Sequence, residues 1–193
     1  MTLELDAFVG QEAEPPRVAR YEASRAMIRN WIEALDDDNP VYVDVDAARA
    51  TGRTDVIAPP AMISTWVMAG YRRHREIHRK RAAGVVEDFA YSRLLSLLDE
   101  AGFTSIVATD VEQAYVREVT PGTHVTCHFT IEAVSEEKAT GLGRGHFITL
   151  RKRYVDADGD LLVDERFRVL RFRPAGAETT ETIGAAETEG SDA

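Results

Sequence analysis

Cysteine is nearly absent: Cys127 stands alone in 193 residues. A lone thiol permits no internal disulfide and no thiolate metal cluster. Long hydrophobic runs are missing too, since none approaches the ~18 residues that a membrane-spanning helix needs. Positive charge is absent from both ends. Residues 1–14 carry Glu4, Asp6, Glu12 and Glu14 without a Lys or Arg, and residues 174–193 carry Glu178, Glu181, Glu187, Glu189 and Asp192 in the same way. The N-terminus therefore lacks the basic start and apolar centre of a signal peptide. These absences lead to the expectation of a cytoplasmic protein with neither a membrane nor a nucleic-acid partner. The formal net charge of −10 belongs mostly to the two ends, which leaves a middle close to neutral.

What is present suits one folded domain. An apolar fraction of 44% is ordinary for a globular chain. Residues 1–14 read as an acidic extension, 15–173 as the domain, and 174–193 as a tail. Glu, Thr, Gly and Ala around an isolated Ile183 cannot bury enough apolar surface to offset ordering entropy, so the tail is expected to be disordered.

After Pro15-Pro16, Arg17 to Glu22 reads as a first strand. Ser24 to Leu35 places Met27, Ile28, Trp31, Ile32 and Leu35 at helical spacing. Pro60 suits a helix's first turn, with Ile63, Trp66 and Val67 as its apolar face. A second such helix is expected from Val86 to Ala101, closed by Gly102. Beyond Phe103 the period changes to two. Val125 to Ala133 alternates as a strand, and Asp158-Gly159 marks a hairpin between Phe147–Val155 and Leu161–Phe172. Helices first and an antiparallel meander afterwards indicate α+β.

The segment Asp36-Asp37-Asp38-Asn39-Pro40-Val41-Tyr42 carries the most chemistry. An Asp, an Asn-Pro, and an imidazole five residues after the Asp would activate a water. Here Asp37 and Asn39 are present, but the fifth residue is Tyr42. A phenol titrates near ~10 and an imidazole near ~6.5, so Tyr42 is a poor base at neutral pH. The bland reading is an Asp-rich, Pro-ended turn that merely stops a helix.

This segment resembles the signature of the MaoC-like hot-dog hydratases, and the Tyr variant looks like their FAS1-like N-terminal dehydratase type. Ala48-Arg49-Ala50-Thr51-Gly52 and Val56-Ile57-Ala58-Pro59-Pro60 are similar to the family's approach to its central helix. Val107 to Tyr115 and Thr140-Gly141-Leu142-Gly143-Arg144-Gly145 look like the MaoC half of subunits that hydrate steroid side-chain enoyl-CoA thioesters. The resemblance implies a single hot-dog fold, an antiparallel sheet wrapped around a central helix. It implies a subunit of a heteromeric enoyl-CoA hydratase (3-hydroxyacyl-thioester dehydratase) that forms the acyl tunnel while a second MaoC-like chain supplies Asp and His. It also implies that backbone N–H groups at the central helix's start polarise the thioester. Pro59 and Pro60 have none, which leaves Ala61 and Met62.

Tyr71 to Arg81 is the other concentrated feature, rich in Arg and Lys. It is either a solvated helix face or a grip for the phosphates of coenzyme A or an acidic carrier protein, through Arg72, Arg73 and Arg75. His74 and His78 lie four apart without a supporting carboxylate or thiolate, so no metal is expected. Residues 141–145 lack the strand-then-helix context of a nucleotide loop, and their glycines read as a bulge or a close backbone approach. Asp156 to Asp160 fails as a calcium loop, with its glycine fourth instead of sixth. No cofactor is expected. His124, His128 and His146 are distant imidazoles. The rival readings are a self-sufficient hydratase using Asp37, a non-catalytic acyl-CoA-binding subunit, and a thioesterase using Glu87 or Asp88.

Overall fold

The computed structural model describes residues 4–85 and 87–174; the expected disorder of the tail lies outside them. Six antiparallel strands form one sheet: β1 (Glu12–Val18), β2 (Ser105–Tyr115), β3 (Thr126–Val134), β4 (Lys138–Thr140), β5 (Gly143–Val155) and β6 (Leu161–Pro174). Their order is β1-β3-β5-β6-β2, with β4 against β5, so β1 and β2 are edges. Helices α1 (Arg25–Leu35), α2 (Val45–Ala50), α3 (Ile63–Trp66), α4 (Gly70–Ala82) and α5 (Ala90–Glu100) complete the chain. The α+β hot-dog expectation holds, with the strands wrapping a core that the helices close.

Alternation sets the faces. Cys127, Phe129 and Ile131 of β3 meet Ile148, Leu150 and Tyr154 of β5 and Val163 and Val169 of β6 in one buried cluster. Ile28, Trp66, Leu94 and Leu98 press on it from the helices. Leu94 is fully buried. Leu94→Ala should therefore cost about 2–5 kcal/mol in denaturant unfolding.

Three boundaries differ from expectation. The first strand begins at Glu12 instead of Arg17, and Leu5 and Ala13 join the core, so the acidic N-terminal segment is built into the fold. Pro15 and Pro16 fit because β1 is an edge strand whose register shifts between Glu14 and Arg17, a place where the ladder needs neither N–H. The helix expected after Pro60 is a 3-10 turn, Pro60–Met62, followed by the four-residue α3. The chain then breaks at Val67–Ala69 and restarts in α4 at Gly70, which takes φ +70°. Helix α5 starts at Ala90 instead of Val86, where the Phe89 N–H donates to Ser92 Oγ at 3.2 Å.

The C-terminal end of α5 is pinned to the sheet. Arg173 Nη2 donates to the Ala101 carbonyl at 2.8 Å, and Arg171, itself buried, pairs with Asp99. Of the two readings of the 141–145 glycines, a bulge or a close backbone approach, Gly145 fits the second: a Cβ there would stand 2.1 Å from the Arg171 carbonyl of the neighbouring strand. That contact explains the glycine without a ligand.

One carboxyl sits uneasily in this packing. Burial raises the Glu14 pKa, and the nearby Arg17 guanidinium, 2.5 Å from Oε1, only partly opposes the shift. A raised carboxyl pKa means the folded state holds the proton more tightly. Its stabilising contribution is complete below the unfolded value and is lost as pH rises through the folded one. Glu14→Gln should remove that loss and melt higher than the parent chain at neutral pH, with the gap closing in acid.

Candidate functional site

Helix α1 begins on Ser24, whose Oγ accepts the Met27 N–H, and ends where Asp36 turns left-handed at φ 55°. The following residues build a loop from their own side chains. Asp37 Oδ1 accepts the Asn39 N–H at 3.1 Å, and Asn39 Oδ1 accepts the Val41 N–H at 3.3 Å, capping a 3-10 turn over Pro40–Tyr42. The Tyr42 ring is half-buried against the core. Asp44 then caps α2. The carboxylate and the amide of the expected water site are thus engaged in shaping the backbone, as Asx turns do.

Two main-chain bonds hold the corner before α3, one to this loop and one to the segment after β2. Ile57 N–H donates to the Val41 carbonyl at 3.3 Å, and Ala58 N–H to the Val119 carbonyl at 2.7 Å. Beside that corner lies a cavity of about 510 Å³, walled by Ala58, Pro59, Pro60, Ile63 and Trp66 on one side and by Tyr115 to Val119 on the other. Asp37, Asn39 and Tyr42 are not among its lining residues. Met62 N–H is already bonded to the Pro59 carbonyl at 2.9 Å, and the residue is buried. Of the two expected donors, only Ala61 remains exposed. The Trp66 indole Nε1 is buried without a partner among the described residues.

Two charged residues lie on the cavity wall: Arg117, paired with Asp156 and Asp160, and Glu118. Arg53 clasps Glu118 with Nε at 2.9 and 3.1 Å from the two carboxylate oxygens and Nη2 at 2.6 Å. That bond, with the Glu118 charge adding to it, raises the Arg53 pKa. Arg53 also donates to Thr51 Oγ1 at 2.6 Å, so it ties the end of α2 to the cavity wall. The Arg53–Glu118 pair escaped the sequence reading because 65 residues separate its members and neither lies in a motif.

The three arginines of α4 expected to hold phosphate, Arg72, Arg73 and Arg75, do not act as one grip. Arg73 is half-buried and bound to Glu87 at 2.9 Å and Glu76 at 3.3 Å. Lys80 joins the same two carboxylates. Arg72 is exposed without an ion pair among the described residues, and Arg75 stacks over Tyr71 at 5.7 Å. The carboxylates of the thioesterase reading are similarly occupied, Glu87 by Arg73 and Lys80, Asp88 by Arg93 at 2.7 Å. His74 and His78 meet edge to face, ring centres 4.3 Å apart. His124 and His128 lie away from the lining set. His146 is buried against Phe103 with Nδ1 2.9 Å from the Ser135 carbonyl, at a separate cavity. Burial pushes the Cys127 thiol up to about 12, so it stays protonated and inert.

Residues 7–165 match the family described as "FAS1-like, dehydratase domain region". The chain belongs to this family. It is 44% identical over 177 residues to a "Probable enoyl-CoA hydratase alpha subunit" of Thermomonospora curvata, across 92% of this chain and 53% of the relative. It is 38% identical over 162 residues to the 3-oxo-4,17-pregnadiene-20-carboxyl-CoA hydratase alpha subunit of Mycobacterium tuberculosis, across 84% and 49% respectively. The chain therefore spans about half the length of these curated relatives. Among solved structures, the ChsH1-ChsH2 complex from Mycobacterium tuberculosis contains a chain 36% identical, with TM-score 0.71 and 86% of each chain covered. A C-terminally truncated HadBC dehydratase complex of the same organism is similar at TM-score 0.54 and 16% identity, a likeness of fold. No helix among the described residues is long and apolar enough to cross a membrane.

Proposed function

We propose that this dehydratase-family chain is the tunnel-forming, non-catalytic half of a heteromeric enoyl-CoA hydratase of the cytoplasm. A second MaoC-like chain brings the Asp and His that add water to the enoyl thioester. The observation that carries this reading is the state of the Asp37 loop: its fifth residue is Tyr42, and its carboxylate caps its own turn. The similarity to alpha subunits of enoyl-CoA hydratases supports the same division of labour. The apolar walls at Ala58 to Trp66 suit a bulky acyl group, and a steroid side-chain thioester is the substrate class this reading favours. Ala61 N–H is the remaining backbone donor for the thioester oxygen at the corner.

The test is reconstitution. Purified alone, the chain is expected to hydrate enoyl-CoA negligibly; with a second dehydratase-family chain bearing Asp-x4-His, the mixture should turn over. General acid–base catalysis contributes typically ~10²–10⁴-fold, so the contrast is large. Brisk turnover by the chain alone would instead favour the self-sufficient reading. Binding of acyl-CoA without turnover in any mixture would favour the acyl-CoA-binding one.

Phosphate contact, in this reading, falls to Arg72 and Arg75, whose guanidinium groups are free to pair bidentately. Arg72→Ala/Arg75→Ala should raise the KM of the complex for acyl-CoA, more at low salt, while kcat stays nearly constant. Arg73→Ala should instead loosen α4 from the Glu87 turn. An unchanged KM at low ionic strength would return the helix to the role of a solvated face.

A further inference from the structure

A second cavity, of about 950 Å³, opens at the other end of the sheet. Tyr115 and Val163, at the first cavity, stand where β2 ends and β6 begins; Arg173, at the second, stands where β6 ends. At about 3.3 Å per strand residue, Val163 and Arg173 are roughly 30 Å apart. The two cavities share no lining residue. Four carboxylates line the second, Glu4 and Asp6 from the N-terminal segment and Glu136 and Glu137 from the turn between β3 and β4. Arg144 holds Glu137 at 2.5 Å, but Glu4, Asp6 and Glu136 have no ion pair among the described residues.

An imidazole gives this acidic space a fixed hydrogen-bonding point. His146 lines the cavity and is only 6% exposed. Its Nδ1 lies 2.9 Å from the Ser135 carbonyl, which can only accept, so Nδ1 carries the hydrogen. The ring also meets Phe103 edge to face, centres 4.7 Å apart, which holds its orientation. In the neutral ring Nε2 is then an acceptor, and it has no partner among the described residues. Unlike the Trp66 indole nitrogen, it is not sealed off, so the open space it meets is the cavity.

The geometry points to a binding site for a linear alkyl diamine or polyamine. One ammonium can donate to Nε2 while carboxylates on the two walls share the positive charge, and such charge-assisted bonds are the stronger ones. Arg173 already covers the Phe103 ring face at 5.0 Å, which leaves Leu5 and Val134 to pack a methylene stem. The unpaired acids repel an anion. No group of three His, Cys, Asp or Glu among the described residues could hold a metal ion, so a compact inorganic cation is the poorer match. The site stands apart from the hydratase reading and does not rest on it.

Isothermal titration calorimetry of the full chain with 1,5-diaminopentane and with spermidine tests the assignment. Saturable 1:1 binding is expected for at least one amine, and none for the neutral 1,5-pentanediol. Asp6→Asn/Glu136→Gln, at exposed positions, should weaken binding at least about tenfold, as should His146→Phe. His146→Gln, whose amide oxygen can accept, should recover most of the affinity lost in His146→Phe. Melting curves check that each variant is folded, and the acid pair decides the matter if His146→Phe is not. Absence of saturable binding of both amines to the wild-type chain would overturn the site. So would equal affinity of wild type and the acid-pair variant, which would mean a loose counterion atmosphere only.

Discussion

Glu165→Ala is expected to lower the unfolding free energy by about 3–5 kcal/mol, among the largest single-site losses in the chain. Glu165 is 3% exposed and lies inside the sheet's core face. Its Oε1 receives Lys152 Nζ at 2.6 Å; its Oε2 receives Gln113 Nε2 at 2.6 Å and the Tyr154 hydroxyl at 3.4 Å. Lys152, lying 4.3 Å from the Phe167 ring centre, has no other carboxylate among the described ion pairs. Burial raises both the Tyr154 phenol and the Cys127 thiol, so neither supplies a compensating anion. Truncating Glu165 thus strands an ammonium in a poorly solvated place, which costs more than the pair contributes net. For the same reason Lys152→Met/Glu165→Leu should recover most of the loss, because replacing both charges with apolar groups of similar volume is close to neutral. Urea midpoints at unchanged m-value would measure both. A loss under about 1 kcal/mol for Glu165→Ala would mean that water reaches the pair.

Where the chain's structure is local, its sequence was legible. Helix α1 was bounded by Ser24 at one end and the acidic turn at the other, and both work as expected. The β5–β6 hairpin followed from Asp158-Gly159, with Gly159 at φ +86°. The misses are tertiary. Pro15-Pro16 looks like a boundary, but on an edge strand with a register shift between Glu14 and Arg17 neither N–H is needed, so β1 runs through them. The apolar spacing of Ile63, Trp66 and Val67 promised a longer helix. It stops at Trp66 instead, with Val67 as its C-cap; the Arg20 guanidinium reaches the Ala69 carbonyl in the break, and Gly70 opens α4 in a left-handed turn. At the candidate site, the departure at Tyr42 was visible in the sequence. The capping role of Asp37 and the Arg53–Glu118 clasp required knowing which side chains meet. Hydrogen-bond capacity spent locally cannot be read from a motif, since the same Asp and Asn serve either a turn or a water.

That distinction yields the prediction with the widest kinetic contrast. In a reconstituted two-chain hydratase, replacing the partner chain's motif His should cut turnover by ~10²–10⁴, the usual worth of a general base. Asp37→Asn in this chain should cut it by less than about tenfold, outside that range. The amide retains an Oδ1 that can accept the Asn39 N–H, so the loop keeps its shape while losing the charge a base would need. Tyr42→His should not make the isolated chain active, for two reasons. The neighbouring carboxylate is bound to its own backbone, and the side chain at 42 packs half-buried on the core instead of lining the 510 Å³ cavity. The readout is loss of enoyl-thioester absorbance at saturating substrate, with melting curves to confirm that each variant is folded. A hundredfold fall in kcat for Asp37→Asn, with KM and folding intact, would move the water chemistry into this chain and end the scaffold reading.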